Sequence, residues 1–300
     1  MTLKTLYIYQ RERFPVLKNG LLILILSVST LCFTRVLRNN YEFPSLEEAV
    51  IVFVIMFIFF LQLRIADEFK DFEEDMKYRA YRPVPRGLVS LKELRNMGIA
   101  GFFIQLALIL LFNKDVLIIF FIVYLYILLM TKEFFVPEWL NKHQAVYMIS
   151  HMIIMLLFHL FVIIYQLGVF PGKDCQLYIV LYLIIGFLNG MSAEIGRKIR
   201  APEDEENGVV TYSKIWGINN SVFVFVFIQI LSFVLCLITA VKTDSQFLTA
   251  VILGFLVILT VIKASGFIKI SKNGKIFEIL SGVWILAVYL VLGIIPLIKG

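Results

Sequence analysis

Three aspartates, Asp67, Asp71 and Asp75, recur at intervals of four, with Glu68 beside the first and Glu73 and Glu74 just before the last. On a continuing helix these positions lie one turn apart and line a single face, with Arg64 and Glu68 close beside it. Like charges stacked in this way repel, so something cationic has to sit against them. Hard divalent ions such as Mg2+ or Mn2+ prefer carboxylate oxygens, keep several waters and bridge readily to phosphate oxygens. Such a face therefore suits a metal-bound phosphate. Arg79, Arg82 and Arg86 follow within a short stretch that also holds Pro83, Pro85 and Gly87, and their guanidinium groups could grip the phosphate oxygens a metal leaves free. The plain alternative is a solvated charged loop between two apolar segments. The strict period of four and the defined proline turn weigh against it.

A second charged stretch carries Glu194, Arg197, Lys198 and Arg200, then the acidic run Glu203 to Glu206, then Gly208 and Thr211. Here basic and acidic groups alternate, and the basic strip could bind an anion directly. A solvated loop with no chemical role is the other option. Lys132, a lone lysine at the end of an apolar run, reads as an interfacial anchor.

The elements that position these groups follow from composition. The chain has 300 residues, of which 60% are hydrophobic and only 17% charged, and its mean hydropathy is +0.88. That apolar share exceeds what a soluble fold can hide. Scanning for apolar runs of about 20 residues predicts nine spans, at residues 17–37, 47–66, 96–113, 115–132, 144–166, 177–193, 217–241, 246–264 and 276–298. The fold class is therefore all-α, a polytopic membrane protein read as one domain over residues 1–300, because no connection is long enough to bury a core of its own. Of the 28 Lys and Arg residues, 22 fall on one side of this topology and 6 on the other. The positive-inside rule then places the N-terminus and the loops 67–95 and 194–216 in the cytoplasm, and the C-terminus outside.

Several features argue against other functions. The excess positive charge is distributed by membrane side rather than gathered into a nucleic-acid patch, so no nucleic-acid partner is expected. Cys32, Cys175 and Cys236 lie far apart, without the spacing of a disulfide framework or a zinc site. The first 18 or so residues are polar and basic, unlike a cleaved signal peptide, so the N-terminus is expected to be retained. Within the spans, His151, His159 and Asn189 are costly polar groups, read either as functional or, more simply, as interhelical hydrogen-bonding groups. Gly98, Gly101, Gly186 and Gly190 predict close helix approach. A loop containing Gly87 to Ser90 after span two is echoed by one containing Gly208 to Thr211 after span six, as in chains with duplicated halves.

The run from Asp67 through Asp71 and Asp75 to Arg82 and Pro83 resembles the first signature of the UbiA superfamily of intramembrane prenyltransferases. That signature is an Asn-Asp-x-x-Asp-x-x-x-Asp run followed by Arg-Pro. Aligned on Arg82 and Pro83, its later aspartates fall on Asp71 and Asp75, while Asp67 and Glu68 stand where Asn-Asp would be. The family's second signature is matched in part: Gly208, Thr211 and Asp204 fit, whereas Arg197 and Arg200 stand where acids would be expected. The resemblance implies a UbiA-like helical bundle in which Mg2+ (or Mn2+) holds an isoprenyl diphosphate whose tail lies in the bilayer, and it implies isoprenyl transfer to an acceptor. On this basis Asp71, Asp75 and Arg82 are expected to be catalytic. Metal ligands are expected at Asp67, Glu68, Asp71, Asp75, Glu194 and Asp204, and diphosphate contacts at Arg79, Arg82, Lys132, Arg197, Lys198 and Arg200. Abundant aromatic side chains could line an isoprenoid channel and stabilise an allylic cation, although lipid-facing positions account for most of them. Two alternatives stay open: transfer to a phosphorylated polar acceptor, and a membrane transporter or lipid-binding protein. A transporter would be expected to carry ionisable groups near mid-membrane, and here most charge gathers at one face.

Overall fold

The computed structural model describes residues 2–167, 173–206 and 208–299, and among these no strand occurs. The chain begins with α1 (Leu3–Arg13), α2 (Val16–Leu37), α3 (Leu46–Lys70), α4 (Phe72–Tyr78), α5 (Leu91–Phe112), α6 (Leu117–Thr131) and α7 (Pro137–Lys142). It continues with α8 (Gln144–Leu167), α9 (Lys173–Lys198), α10 (Tyr212–Trp216), α11 (Ile218–Lys242), α12 (Gln246–Ile270), α13 (Lys275–Tyr289) and α14 (Ile295–Lys299). Among the described residues nine helical segments are long and apolar enough to cross a membrane. A helix of 25 residues such as α12 rises about 37 Å, enough to traverse a hydrocarbon core of about 30 Å with some tilt. The expected polar break from Gly168 to Gln176 begins in residues 168–172, which lie outside the described residues.

The helix ends differ from the apolar windows where polar caps extend them. α5 starts at Leu91 rather than near residue 96 because Ser90 and Glu93 form a capping box. The Ser90 hydroxyl accepts from the Glu93 amide at 3.2 Å, and the Glu93 carboxylate accepts from the Ser90 amide at 2.9 Å. Ser45 caps α3 with its hydroxyl, which accepts from the Glu48 amide. Gly217, at φ 78° and ψ 158°, joins α10 to α11 in a conformation essentially reserved for glycine.

The helices divide into two compact units, residues 1–27 with 44–147 and residues 28–43 with 148–300. In the first, α3 packs against α5 and α6. The approach to α5 is close because Gly98 and Gly101 lack side chains: a Cβ on Gly101 would come within 2.9 Å of Ile58 and 3.1 Å of the Gln62 amide. Gln62 donates to the Gly98 carbonyl at 2.6 Å and to the Tyr124 hydroxyl at 3.1 Å, Tyr124 donates to Gln105, and Gln105 donates to the Ile55 carbonyl at 2.8 Å. This satisfies polar groups that would otherwise be costly in hydrocarbon.

In the second unit, α9 packs against α11 and α13, and α11 against α12. Gly186 faces the His159 ring and Gly190 faces Met155, so the expected close approach of α8 and α9 occurs at these glycines. His159 is an interhelical hydrogen-bonding group: its Nδ1 donates to the Met155 carbonyl at 2.6 Å and its Nε2 accepts from the Tyr289 hydroxyl at 2.9 Å.

Candidate active site

The acidic segment lies in the first unit, where α3 ends. α3 runs to Lys70 and α4 begins at Phe72, so Asp71 is the junction, with φ −89° and ψ 5°. This is the sparsely populated bridge region. The four-residue hydrogen bonds nevertheless pass through it, from the Asp71 amide to the Asp67 carbonyl at 2.9 Å and from the Asp75 amide to the Asp71 carbonyl at 2.8 Å. The expected single helix is thus replaced by two helices that keep the period of four.

Packing sorts the four carboxylates into two kinds. The Glu68 side chain is 1% exposed; the Arg13 Nε donates to its Oε1 at 2.6 Å and the Arg64 Nη2 to the same oxygen at 3.0 Å. Asp75 is 2% exposed; the Arg82 Nη1 bridges both its oxygens at 2.7 and 2.6 Å, Arg79 donates to Oδ1 at 2.7 Å, and Arg13 stands 3.8 Å away. Asp67 and Asp71 keep 46% and 34% of their side chains exposed. Their ionic contacts are long: Arg64 to Asp67 at 3.7 Å, and Lys70 to both at 3.9 Å. The cationic partner that the spacing demanded is therefore supplied largely by the chain itself.

The electrostatics follow the same division. Burial would raise the Asp75 carboxyl, but the hydrogen bonds from Arg82 and Arg79 outweigh it and hold this group below the usual carboxylate range. For Asp71, burial with the nearby charges of Asp67 and Asp75 outweighs Lys70, and its carboxyl is raised. Asp75 is a satisfied anion, and Asp71 is one that gains from a further cation.

Two residues that spacing did not reveal complete the arrangement. Arg13 reaches Glu68 across 55 positions of sequence. It is carried by α1, whose Tyr9 is buried against Ile65, Val84, Val89 and Leu94. The same helix offers Glu12 to Arg86 at 2.8 Å, so α1 engages both the acidic run and the arginine turn. Tyr147, at the start of α8, accepts a hydrogen bond from the Lys70 ammonium at 2.6 Å. Lys70 was visible as a neighbour of Asp71; nothing local connects either group to Arg13 or Tyr147. Lys132 caps the C-terminal end of α6 and is exposed.

The second charged loop closes on itself within the second unit. Glu194 is held by Arg197 and, at 2.8 Å, by Lys198, whose ammonium also lies 5.4 Å from the Tyr212 ring centre. The Thr211 hydroxyl donates to Glu205 at 2.6 Å, and the Arg200 guanidinium meets Glu206 at 3.1 Å. Asp204 sits exposed on a single 3-10 turn. Arg197 and Arg200, with Lys275, Asp204, Glu206 and Glu278, line a cavity of about 270 Å³. Among the described residues no group of three or more His, Cys, Asp or Glu side chains gathers to hold a metal ion.

Comparison with known proteins agrees with this architecture. A digeranylgeranylglyceryl phosphate synthase is similar at 19% identity and a TM-score of 0.63, covering 97% of this chain and 99% of that one. A UbiA homologue from Aeropyrum pernix K1 is similar at 16% identity and a TM-score of 0.64, covering 89% of this chain and 95% of that one. A UbiA homologue from Archaeoglobus fulgidus, bound to DMAPP and Mg2+, is similar at 13% identity and a TM-score of 0.55, over 95% and 98% of the two chains. No curated protein matches the sequence. Residues 26–280 match the UbiA prenyltransferase family, and with that much of its length covered the chain belongs to this family of multi-pass membrane enzymes.

Proposed function

We propose that the protein catalyses Mg2+-dependent transfer of an isoprenyl group from an isoprenyl diphosphate to an acceptor within the membrane. The observation that carries this reading is the division of the acidic segment: Glu68 and Asp75 are buried and held by arginines, while Asp67 and Asp71, one turn apart, keep oxygens open. Mg2+ commonly uses one or two carboxylates, several waters and the substrate's own phosphate oxygens, so this donor set fits it. The Archaeoglobus fulgidus relative bound to DMAPP and Mg2+ supports the same substrate and metal class.

In this reading Asp67 and Asp71 hold the metal. Asp75 fixes Arg79 and Arg82, each of which retains further N–H groups for the diphosphate. Lys132 adds a cation from the end of α6. When bound, Mg2+ would offset the charge that develops on the departing diphosphate. Arg79 and Arg82 would do so from positions already set by Asp75, with little reorganisation at the moment of reaction. The carbon–oxygen bond breaks with its electron pair leaving on the diphosphate; the acceptor supplies the new bond to the allylic carbon and loses a proton.

A second reading, transfer to a phosphorylated polar acceptor, rests on Arg197, Arg200 and Lys275 in a cavity they share with Asp204, Glu206 and Glu278. In it the second loop serves anion recognition, with Glu194 occupied by Arg197 and Lys198 rather than by a metal. We also assign the N-terminus and both charged loops to the cytoplasm and the C-terminus to the outside, on the distribution of Lys and Arg.

The test is incubation of purified protein with labelled farnesyl or geranylgeranyl diphosphate and a membrane extract, with and without Mg2+, followed by identification of the labelled product. Turnover should require the metal and be lost in Asp67→Ala and Asp71→Ala. Undiminished turnover in both variants overturns the proposal, and a product with or without a phosphate group separates the two acceptor classes.

A further inference from the structure

The Lys70 ammonium stands 3.9 Å from the nearest oxygen of Asp67 and 3.9 Å from that of Asp71. These are the two carboxylates that remain open to a ligand. Lys70 is not a loose surface lysine, for its side chain is largely buried. The Tyr147 hydroxyl accepts from it at 2.6 Å. That hydrogen bond holds the charge against the acidic pair. The chain thus carries a resident cation beside the pair of oxygens to which the proposed function assigns Mg2+.

We infer that Lys70, held by Tyr147, is an internal counter-ion that disfavours a bare divalent cation at Asp67 and Asp71 and favours the metal and diphosphate entering together. The inference rests on the proposed function. Its physical basis is charge: a divalent ion arriving alone meets a fixed like charge within a few ångströms. A diphosphate arriving with it reverses the sign of that interaction, because Lys70 then faces a polyanion and can donate to it. Lys70 is accordingly a positioning and selectivity residue, and Tyr147 positions Lys70.

The test measures metal binding rather than turnover. Full-length protein in detergent micelles or nanodiscs is titrated with Mn2+, followed by electron paramagnetic resonance, with and without inorganic diphosphate. Wild type should bind Mn2+ weakly alone and more tightly with diphosphate. Lys70→Met should bind Mn2+ alone about tenfold or more tightly, the size expected when a like unit charge leaves the edge of a partly solvated site, and diphosphate should then enhance binding less. Tyr147→Phe should move in the same direction by a smaller factor, and Lys70→Arg should retain the wild-type pattern. A purely structural role for Lys70 would not raise metal affinity. If Asp71→Ala abolishes Mn2+ binding while Lys70→Met binds no more tightly than wild type, the inference is overturned and the metal assignment stands. If Mn2+ binding is unchanged in Asp67→Ala and Asp71→Ala, the metal assignment fails, and the inference with it.

Discussion

Replacing Arg13 by methionine keeps the apolar stem of the side chain and removes the guanidinium that ties α1 to the acidic segment. That group donates to Glu68 at 2.6 Å in a nearly water-free setting. A charge-assisted hydrogen bond contributes about 1.5–3 kcal/mol, and stranding a buried carboxylate raises the loss to about 3–5 kcal/mol. Glu68 is not stranded, because Arg64 still donates to the same oxygen at 3.0 Å. The lower range applies, so the expected coupling between Arg13 and Glu68 is about 2 kcal/mol. A double-mutant cycle of Arg13→Met and Glu68→Gln, read by equilibrium SDS unfolding in mixed micelles, measures it. The Glu12 and Arg86 pair supplies an internal control: its contact is also short, at 2.8 Å, but its side chains are 38% and 36% exposed. Solvent screening should keep that coupling below about 1 kcal/mol. If both cycles return less than about 0.5 kcal/mol, the ion pair is not what fastens α1 to the end of α3, and the magnitude argued from burial is refuted.

Two further expectations concern packing and topology. A Cβ on Gly293 would lie 2.3 Å from the Ser29 carbonyl oxygen and 2.7 Å from its Cα. Backbone atoms cannot rotate aside, so Gly293→Ala should cost about 2–3 kcal/mol. Gly282→Ala, which meets nothing within 4 Å, should be neutral or stabilising by up to about 1 kcal/mol in the same unfolding assay; equal effects would refute the distinction. For topology, single cysteines at Ala80 and Lys114 in a background lacking Cys32, Cys175 and Cys236 should react differently with an impermeant maleimide. Lys114→Cys should label in intact cells and Ala80→Cys only after lysis, and the reverse pattern overturns the proposed orientation.

The number and rough placement of the membrane helices were legible in sequence because a bilayer imposes a length and composition on every span, and each span declares itself locally. The period-four acidic run was legible for the same reason: a helix converts fixed spacing into a shared face. The partial match of the second charged loop to its family signature was also visible, with Arg197 and Arg200 in place of acids.

Tertiary structure decided how each carboxylate is held. Asp67, Glu68, Asp71 and Asp75 look alike in sequence, yet two are buried under arginines and two keep open oxygens. Asp75 is held by its sequence neighbours Arg79 and Arg82, but Glu68 is held by Arg13, delivered by a helix whose Tyr9 is anchored in an apolar cluster, and Lys70 beside the open pair is held by Tyr147. Arg13 and Tyr147 are many residues away, and no periodicity links them to the acidic run. Helical spacing specifies which side chains share a face. Which of those side chains stay available to a ligand depends on desolvation and on ion pairs made across the fold, and these exist only once distant segments have packed together.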